Sequence, residues 1–134
     1  MGLVGFGTVP QLLAGWLAVM GAKVVYCART AKDCSYERLP LPELLACADI
    51  VSLHIPLTEA TQRLIGASSL SLMKPGATLV NTARGGLVDE AALVDALKSG
   101  KVGAAGLDVF AHEPPSTANP LLALPNVVAS PRLA

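Results

Sequence analysis

Leu3-Val4-Gly5-Phe6-Gly7-Thr8-Val9-Pro10, residues 3–10, is the stretch on which the fold turns. Leu3-Val4-Gly5-Phe6 reads as a short buried strand. Gln11 to Met20 is helix-like, and Gly21 can cap its end. Lys23 to Cys27, β-branched and aromatic, reads as the next strand. A glycine turn between a strand and a helix, with a second strand after it, is the setting of the dinucleotide fingerprint. In that setting Gly5 allows the tight turn and Gly7 lets backbone approach a pyrophosphate. Amides around Thr8 and Val9, at the helix N-terminus, supply donors and a favourable dipole. Pro10 stands where the fingerprint has its third glycine. Its fixed φ and missing N–H suit a first helical turn. Its ring is bulky where the helix should press on the sheet. The expectation is a shifted helix start and weaker cofactor binding.

Outward from this unit, the same rhythm repeats. Pro42 to Ala48 reads as a short helix, and Ile50-Val51-Ser52-Leu53 as a strand stopped before Pro56. Ala67 to Met73 can form a helix, Pro75-Gly76 a turn, and Thr78-Leu79-Val80 a strand. Asp89 is a good N-cap for Glu90 to Ser99, with Leu93, Ala96 and Leu97 on one face and Gly100 at the end. Ala104 to Val109 is a fifth strand. A Pro-rich loop, His112 to Pro120, leads to a sixth at Asn126 to Ala129. Strands alternating with helices predict an α/β fold: a Rossmann-type, doubly wound parallel sheet of about six strands in three layers. Apolar runs rather than strict alternation fit strands buried on both faces.

Composition narrows the function. The chain has 134 residues, 52% of them hydrophobic and 15% charged, against roughly 25% charged in an ordinary soluble domain. Ten Lys and Arg balance ten Asp and Glu, for a formal net charge of zero. Disorder needs low hydrophobicity and high net charge, and a general nucleic-acid binder normally shows a basic excess. The length fits one domain over residues 1–134. Cys27, Cys34 and Cys47 form no CxxC pair, so they give neither a disulfide framework nor a zinc signature. They read as thiols of a reducing cytosol, and the expected localisation is cytoplasmic. Residues 1–22 carry no charge. No basic segment precedes them, and Gly2, Gly5, Gly7 and Pro10 interrupt them, so no membrane segment is expected. Beginning almost inside its first strand and stopping just after its last, the sequence reads as a piece of something longer.

The end of the second strand speaks to cofactor type. An acid normally sits there for the ribose 2′-hydroxyl. Here the sequence is Tyr26-Cys27-Ala28-Arg29-Thr30, with no acid until Asp33. Ala28 removes repulsion against a 2′-phosphate and Arg29 could pair with it. This points to NADP over NAD, with Arg29 and Thr30 as candidate contacts; the alternative for Arg29 is a solvated surface residue.

Further along stand Leu53-His54-Ile55-Pro56-Leu57-Thr58, Met73-Lys74-Pro75-Gly76-Ala77, Asn81-Thr82-Ala83-Arg84-Gly85-Gly86, Val88-Asp89-Glu90, Gly106-Leu107-Asp108-Val109-Phe110 and Glu113-Pro114. In this order and spacing the chain closely resembles the D-isomer-specific 2-hydroxyacid dehydrogenases, over essentially its whole length. The resemblance implies the nucleotide-binding domain of an oxidoreductase. Such an enzyme passes hydride between a nicotinamide cofactor, NAD or NADP, and a small 2-oxo or 2-hydroxy acid such as glyoxylate or hydroxypyruvate. It implies pyrophosphate contacts at Thr8 and Val9, and cofactor-lining positions at Pro56 and Thr61. Thr82 and Ala83 fall beside the nicotinamide, and Asp108 near its amide. Arg84 matches the arginine that holds the substrate carboxylate, and a planar guanidinium grips a carboxylate bidentately. Glu113 matches the carboxylate that partners a catalytic histidine and raises its pKa. Arg84 as a structural ion pair and Glu113 as a plain surface acid are the alternatives.

The departure is at that histidine. The family pattern after the last strand is Pro-His; here it is Ser130-Pro131-Arg132. Arginine stays protonated and cannot cycle a proton near neutral pH. Arg132 could instead pair with Glu113. His112, adjacent to Glu113, is a poor substitute because loop neighbours rarely point alike. His54 reads as a packed or backbone-bonded residue. The family's separate substrate domain has no counterpart in these residues, and without it no cleft closes over the reaction. The chain alone is therefore expected to show little or no dehydrogenase activity. A non-catalytic module holding a dinucleotide or a protein partner, or an inactive remnant, are the alternatives. Family members pair through this domain, so a homodimer is possible. Trp16 and Leu17 on the first helix could serve there, although core is the expected place for both.

Overall fold

The computed structural model describes residues 1–130. Among these, seven strands form a single all-parallel sheet: β1 (Gly2–Val4), β2 (Val25–Cys27), β3 (Glu37–Arg38), β4 (Ile50–Leu53), β5 (Ala77–Asn81), β6 (Val102–Leu107) and β7 (Val127–Ala129). The order across the sheet is β3-β2-β1-β4-β5-β6-β7. The chain spreads from β1 through β2 to β3, then returns to place β4 on the other side of β1. The boundary between β1 and β4 is thus a topological switch point, where a crevice opens at the carboxyl ends of the strands.

Four helices connect the strands: α1 (Thr8–Val19), α2 (Leu41–Cys47), α3 (Ala67–Leu72) and α4 (Glu90–Ser99). They lie on both faces, giving three layers. Successive strand residues point to opposite faces, and the core divides accordingly. Val4, Val25, Val51, Leu53 and Leu79 pack with Leu44 and Leu45 of α2, Leu70 of α3, and Leu93 and Leu97 of α4. Leu3 and Tyr26 face the other way and pack with Phe6 of the glycine turn and with Ala14 of α1. Full burial of one such side chain, Leu79 in mid-sheet, is worth roughly 1.5–3 kcal/mol.

Three expectations need correction. The sheet has seven strands rather than six, the addition being β3, a two-residue edge strand in register Val25↔Glu37 and Tyr26↔Arg38 with β2. Helix α1 is not displaced by Pro10: it begins at Thr8, directly after Gly7, and the proline is buried within its first turn. First-turn amides have no carbonyl four residues back to bond, so a missing N–H there breaks nothing. Trp16 is not core. It is 69% exposed, while Leu17 packs beside the α1-side cluster. No helix among the described residues is long and apolar enough to cross a membrane.

Candidate functional site: a cleft at the carboxyl edge of the sheet

The first turn is shaped by Gly5. Its φ is +95°, and its amide donates to the Cys27 carbonyl at 2.8 Å, tying the turn to the end of β2. A Cβ added here would run into the His54 carbonyl. Gly7 is different. Its φ of −78° is open to any residue, and a Cβ added there would meet nothing within 4 Å. Protein packing therefore gives no reason for a glycine at position 7.

Gly7, Thr8 and Val9 form one wall of a cleft of about 400 Å³. Gly7 is the N-cap of α1, so the Thr8 and Val9 amides are first-turn donors without helical partners. Pro10 removes the third such donor, and the Gln11 amide already bonds the Gly7 carbonyl at 3.2 Å. The anion-binding capacity of this corner thus rests on two amides and the positive end of the helix dipole.

The opposite wall comes from the segments after β4 and β5: His54, Ile55 and Pro56 from one, Thr82, Ala83 and Arg84 from the other. Asn81, 1% exposed, builds the second of these. Its Nδ2 donates to the Arg84 carbonyl at 2.9 Å and its Oδ1 accepts from the Ala83 amide at 3.1 Å. The turn is closed further by Gly85, where a Cβ would collide with the Phe110 backbone beyond β6. Asn81 was not among the candidate site residues. A polar residue ending an apolar strand was the available signal. His54 Nε2 lies 2.8 Å from the buried Ser52 Oγ, and burial lowers the His54 pKa from its ordinary 6.5. Burial thus disfavours the charged imidazolium form of this ring.

The structure thus brings Gly7, Thr8, Val9, Pro56, Thr82, Ala83 and Arg84 together. The remaining candidates lie around this cleft rather than along it. Thr61 braces it from behind, donating from Oγ1 to the Pro56 carbonyl at 2.8 Å. Arg29 and Thr30 are exposed on the loop after β2. The Asp108 amide donates to the Asn81 carbonyl at 3.0 Å, joining β6 to the Asn81 turn. Glu113 Oε1 accepts from the Phe110 amide at 3.0 Å, closing its own loop. His112 lines a separate pocket beside Glu90 and Asn119. Arg84 is exposed, and its Nη1 donates to the Ala83 carbonyl at 2.7 Å. The expected Arg132–Glu113 pair lies outside the described residues.

The residues present fit a dinucleotide: two free helix amides, a glycine whose missing Cβ leaves room, and a guanidinium across the cleft. Comparison with known proteins agrees. The family model of the D-isomer specific 2-hydroxyacid dehydrogenase NAD-binding domain matches residues 1–134. The hydroxypyruvate reductase of Thermotoga maritima is 44% identical over 137 residues, which is 99% of this chain and 45% of that protein. A D-isomer specific 2-hydroxyacid dehydrogenase from Xanthobacter autotrophicus, solved with NADPH and MES, superposes with a TM-score of 0.94 at 39% identity, over 98% of this chain and 56% of its own. A D-lactate dehydrogenase from Lactobacillus jensenii, solved with NAD+, superposes with a TM-score of 0.89 at 36% identity, over 97% of this chain and 44% of its own. The chain spans less than half the length of these curated relatives, and 26% of one phosphoglycerate dehydrogenase. Matched along its whole length, the chain belongs to the D-isomer specific 2-hydroxyacid dehydrogenase family, as its NAD-binding domain.

Proposed function

We propose that the cleft holds a nicotinamide dinucleotide and that, within a complete enzyme, it serves the interconversion of a small 2-oxo acid and its 2-hydroxy acid. Glyoxylate and hydroxypyruvate are the favoured substrates. The observation that carries the reading is Gly7, whose absent side chain leaves open space beside two unpaired helix amides. The Thr8 and Val9 amides take the pyrophosphate. Pro56, braced by Thr61, and Thr82 with Ala83 line the nicotinamide half, and Asp108 stands near its amide end. Arg29 and Thr30 receive the ribose 2′ end and favour NADP over NAD. Arg84 grips the substrate carboxylate and polarises the adjacent carbonyl. Glu113 is the carboxylate that would orient a proton-donating histidine. The cofactor, when bound, supplies the hydride.

In this chain the donor position is Arg132, which cannot exchange a proton near neutral pH. That favours a second reading for the chain by itself, binding without turnover. The test is a titration of the 134-residue chain with NADH and NADPH, followed by nicotinamide fluorescence and by melting temperature. A cofactor that binds only the folded state raises the melting point by mass action. Both readings require a rise; a melting point unmoved by millimolar NADH and NADPH refutes them. Turnover of glyoxylate or hydroxypyruvate with NADPH would refute the second alone.

A further inference from the structure

A second guanidinium, which the cofactor reading leaves unused, reaches the loop after β2. Arg38 sits on the edge strand β3, paired in register with Tyr26. Its side chain reaches past the end of β2. Nε and Nη2 donate to the Ala28 carbonyl at 3.0 and 2.9 Å, and Nη2 donates to the Arg29 carbonyl at 2.8 Å. Two more contacts fasten the same loop. The Lys32 amide donates to the Tyr26 hydroxyl at 2.9 Å, and the Tyr36 ring meets Phe6 edge-on at 6.0 Å. Phe6, the middle residue of the glycine turn, stacks on Tyr26 at 4.2 Å. Turn and loop therefore share one aromatic anchor, with Arg38 closing the outer end.

The chemistry of this corner is one-sided. Residues 28–32, Ala-Arg-Thr-Ala-Lys, contain no carboxylate. A ribose 2′-hydroxyl is normally held by an acceptor, whereas a 2′-phosphate needs cations and donors. The Ala28 carbonyl accepts two guanidinium hydrogen bonds and the Arg29 carbonyl one. We propose that Arg38 is a positioning residue for cofactor choice. It clamps the Ala28 and Arg29 carbonyls, which fixes the backbone from which Arg29 meets a ribose 2′-phosphomonoester. This rests on the proposed function, since it concerns one end of the same cofactor.

Arg38→Lys separates the clamp from mere charge. Lysine keeps the cation but not the planar fork that spans two carbonyls. In the 134-residue chain, amide exchange over residues 28–33 is expected to quicken about tenfold, while NADPH binding weakens about five- to tenfold and NADH binding changes less than about twofold, the scale of a solvent-discounted charged hydrogen bond. Arg29→Ala should lower NADPH affinity similarly. Because Arg38 acts through Arg29, the double variant should bind NADPH no worse than Arg29→Ala alone. Equal weakening of both cofactors, additive losses in the double variant, or exchange unchanged in Arg38→Lys overturns the proposal. An unsubstituted chain that binds neither cofactor overturns the proposed function and the selectivity role together. Exchange in the cofactor-free protein still decides whether Arg38 holds the loop.

Discussion

At Gly5 the backbone takes φ +95° and an added methyl would strike the His54 carbonyl, whereas at Gly7 φ is ordinary and the same methyl would enter open space. Two substitutions separate the roles. Gly5→Ala should lower stability by at least about 2 kcal/mol, since left-handed strain and overpacking add. Gly7→Ala should leave the melting temperature within about 2 °C. It should weaken dinucleotide binding about tenfold or more, the equivalent of about 1–3 kcal/mol of crowding against the ligand. Chemical denaturation and cofactor titration of both variants check the contrast; a Gly7→Ala chain that binds like the parent would remove the main support for the cleft. His54 yields a pH prediction. Its folded pKa is depressed by burial, so just below the ordinary 6.5 the unfolded chain binds a proton that the folded chain refuses. Stability then rises with pH and is lost as pH falls below about 6.5, until the folded ring itself protonates. His54→Gln should flatten that part of the stability profile, measured by urea midpoints between pH 5 and 7.5.

Among the elements, α4 was the most legible because its signals are local. Asp89 Oδ1 accepts from the Ala92 amide at 3.3 Å, and Gly100 ends the helix at φ +81°. Asp89→Ala should cost about 1 kcal/mol in denaturant unfolding, the usual worth of an N-cap. Glu90, the first helical residue, has a longer reach. Its Oε2 accepts from the Ala111 amide at 3.2 Å and its Oε1 from Asn119 Nδ2 at 3.3 Å. It thereby pins both sides of the loop that holds Glu113. Glu90→Ala is expected to speed exchange of the Ala111 amide and to expose the loop 111–119 to protease; unchanged exchange would show the loop to be held by other contacts. Strand β3 was illegible for the opposite reason. Its two residues, Glu37 and Arg38, are charged and exposed, and only pairing with β2 makes them a strand. Likewise, Thr8 and Val9 have weak helix propensity. Gly7 at the cap and the turn geometry extend α1 back to them, three residues before the apolar pattern suggested. The cleft walls after β4 and β5 were legible as motifs, but Asn81's bridging of Ala83 and Arg84 needed the fold.

For the molecule as a whole, α1 is the unbalanced part. It carries no charged residue, and it is apolar on both sides. Pro10 and Ala14 are buried inward, while Val9, Leu12, Trp16 and Val19 form an exposed stripe at helical spacing along the other side. A helix that is apolar all round gives no pattern from which to tell its inner face, and for that reason Trp16 read as core. On the sheet side that α1 leaves open, Val128 of β7 is 74% exposed. The exposed apolar stripe on α1 marks an association site. The proposed occupant is a second copy of the chain, in keeping with the homodimer expected from the family. Trp16 is the single tryptophan, so its emission reports on the stripe directly. Raising the chain concentration should shift that emission to shorter wavelength as sedimentation moves from monomer toward dimer. Leu12→Lys, which keeps the reporter and places a charge in the stripe, should hold both signals at their monomer values, because an unpaired charge is expensive to bury. Dimerisation that persists in Leu12→Lys would put the interface elsewhere. A parent chain that stays monomeric at high concentration would leave the stripe without a second copy to cover it.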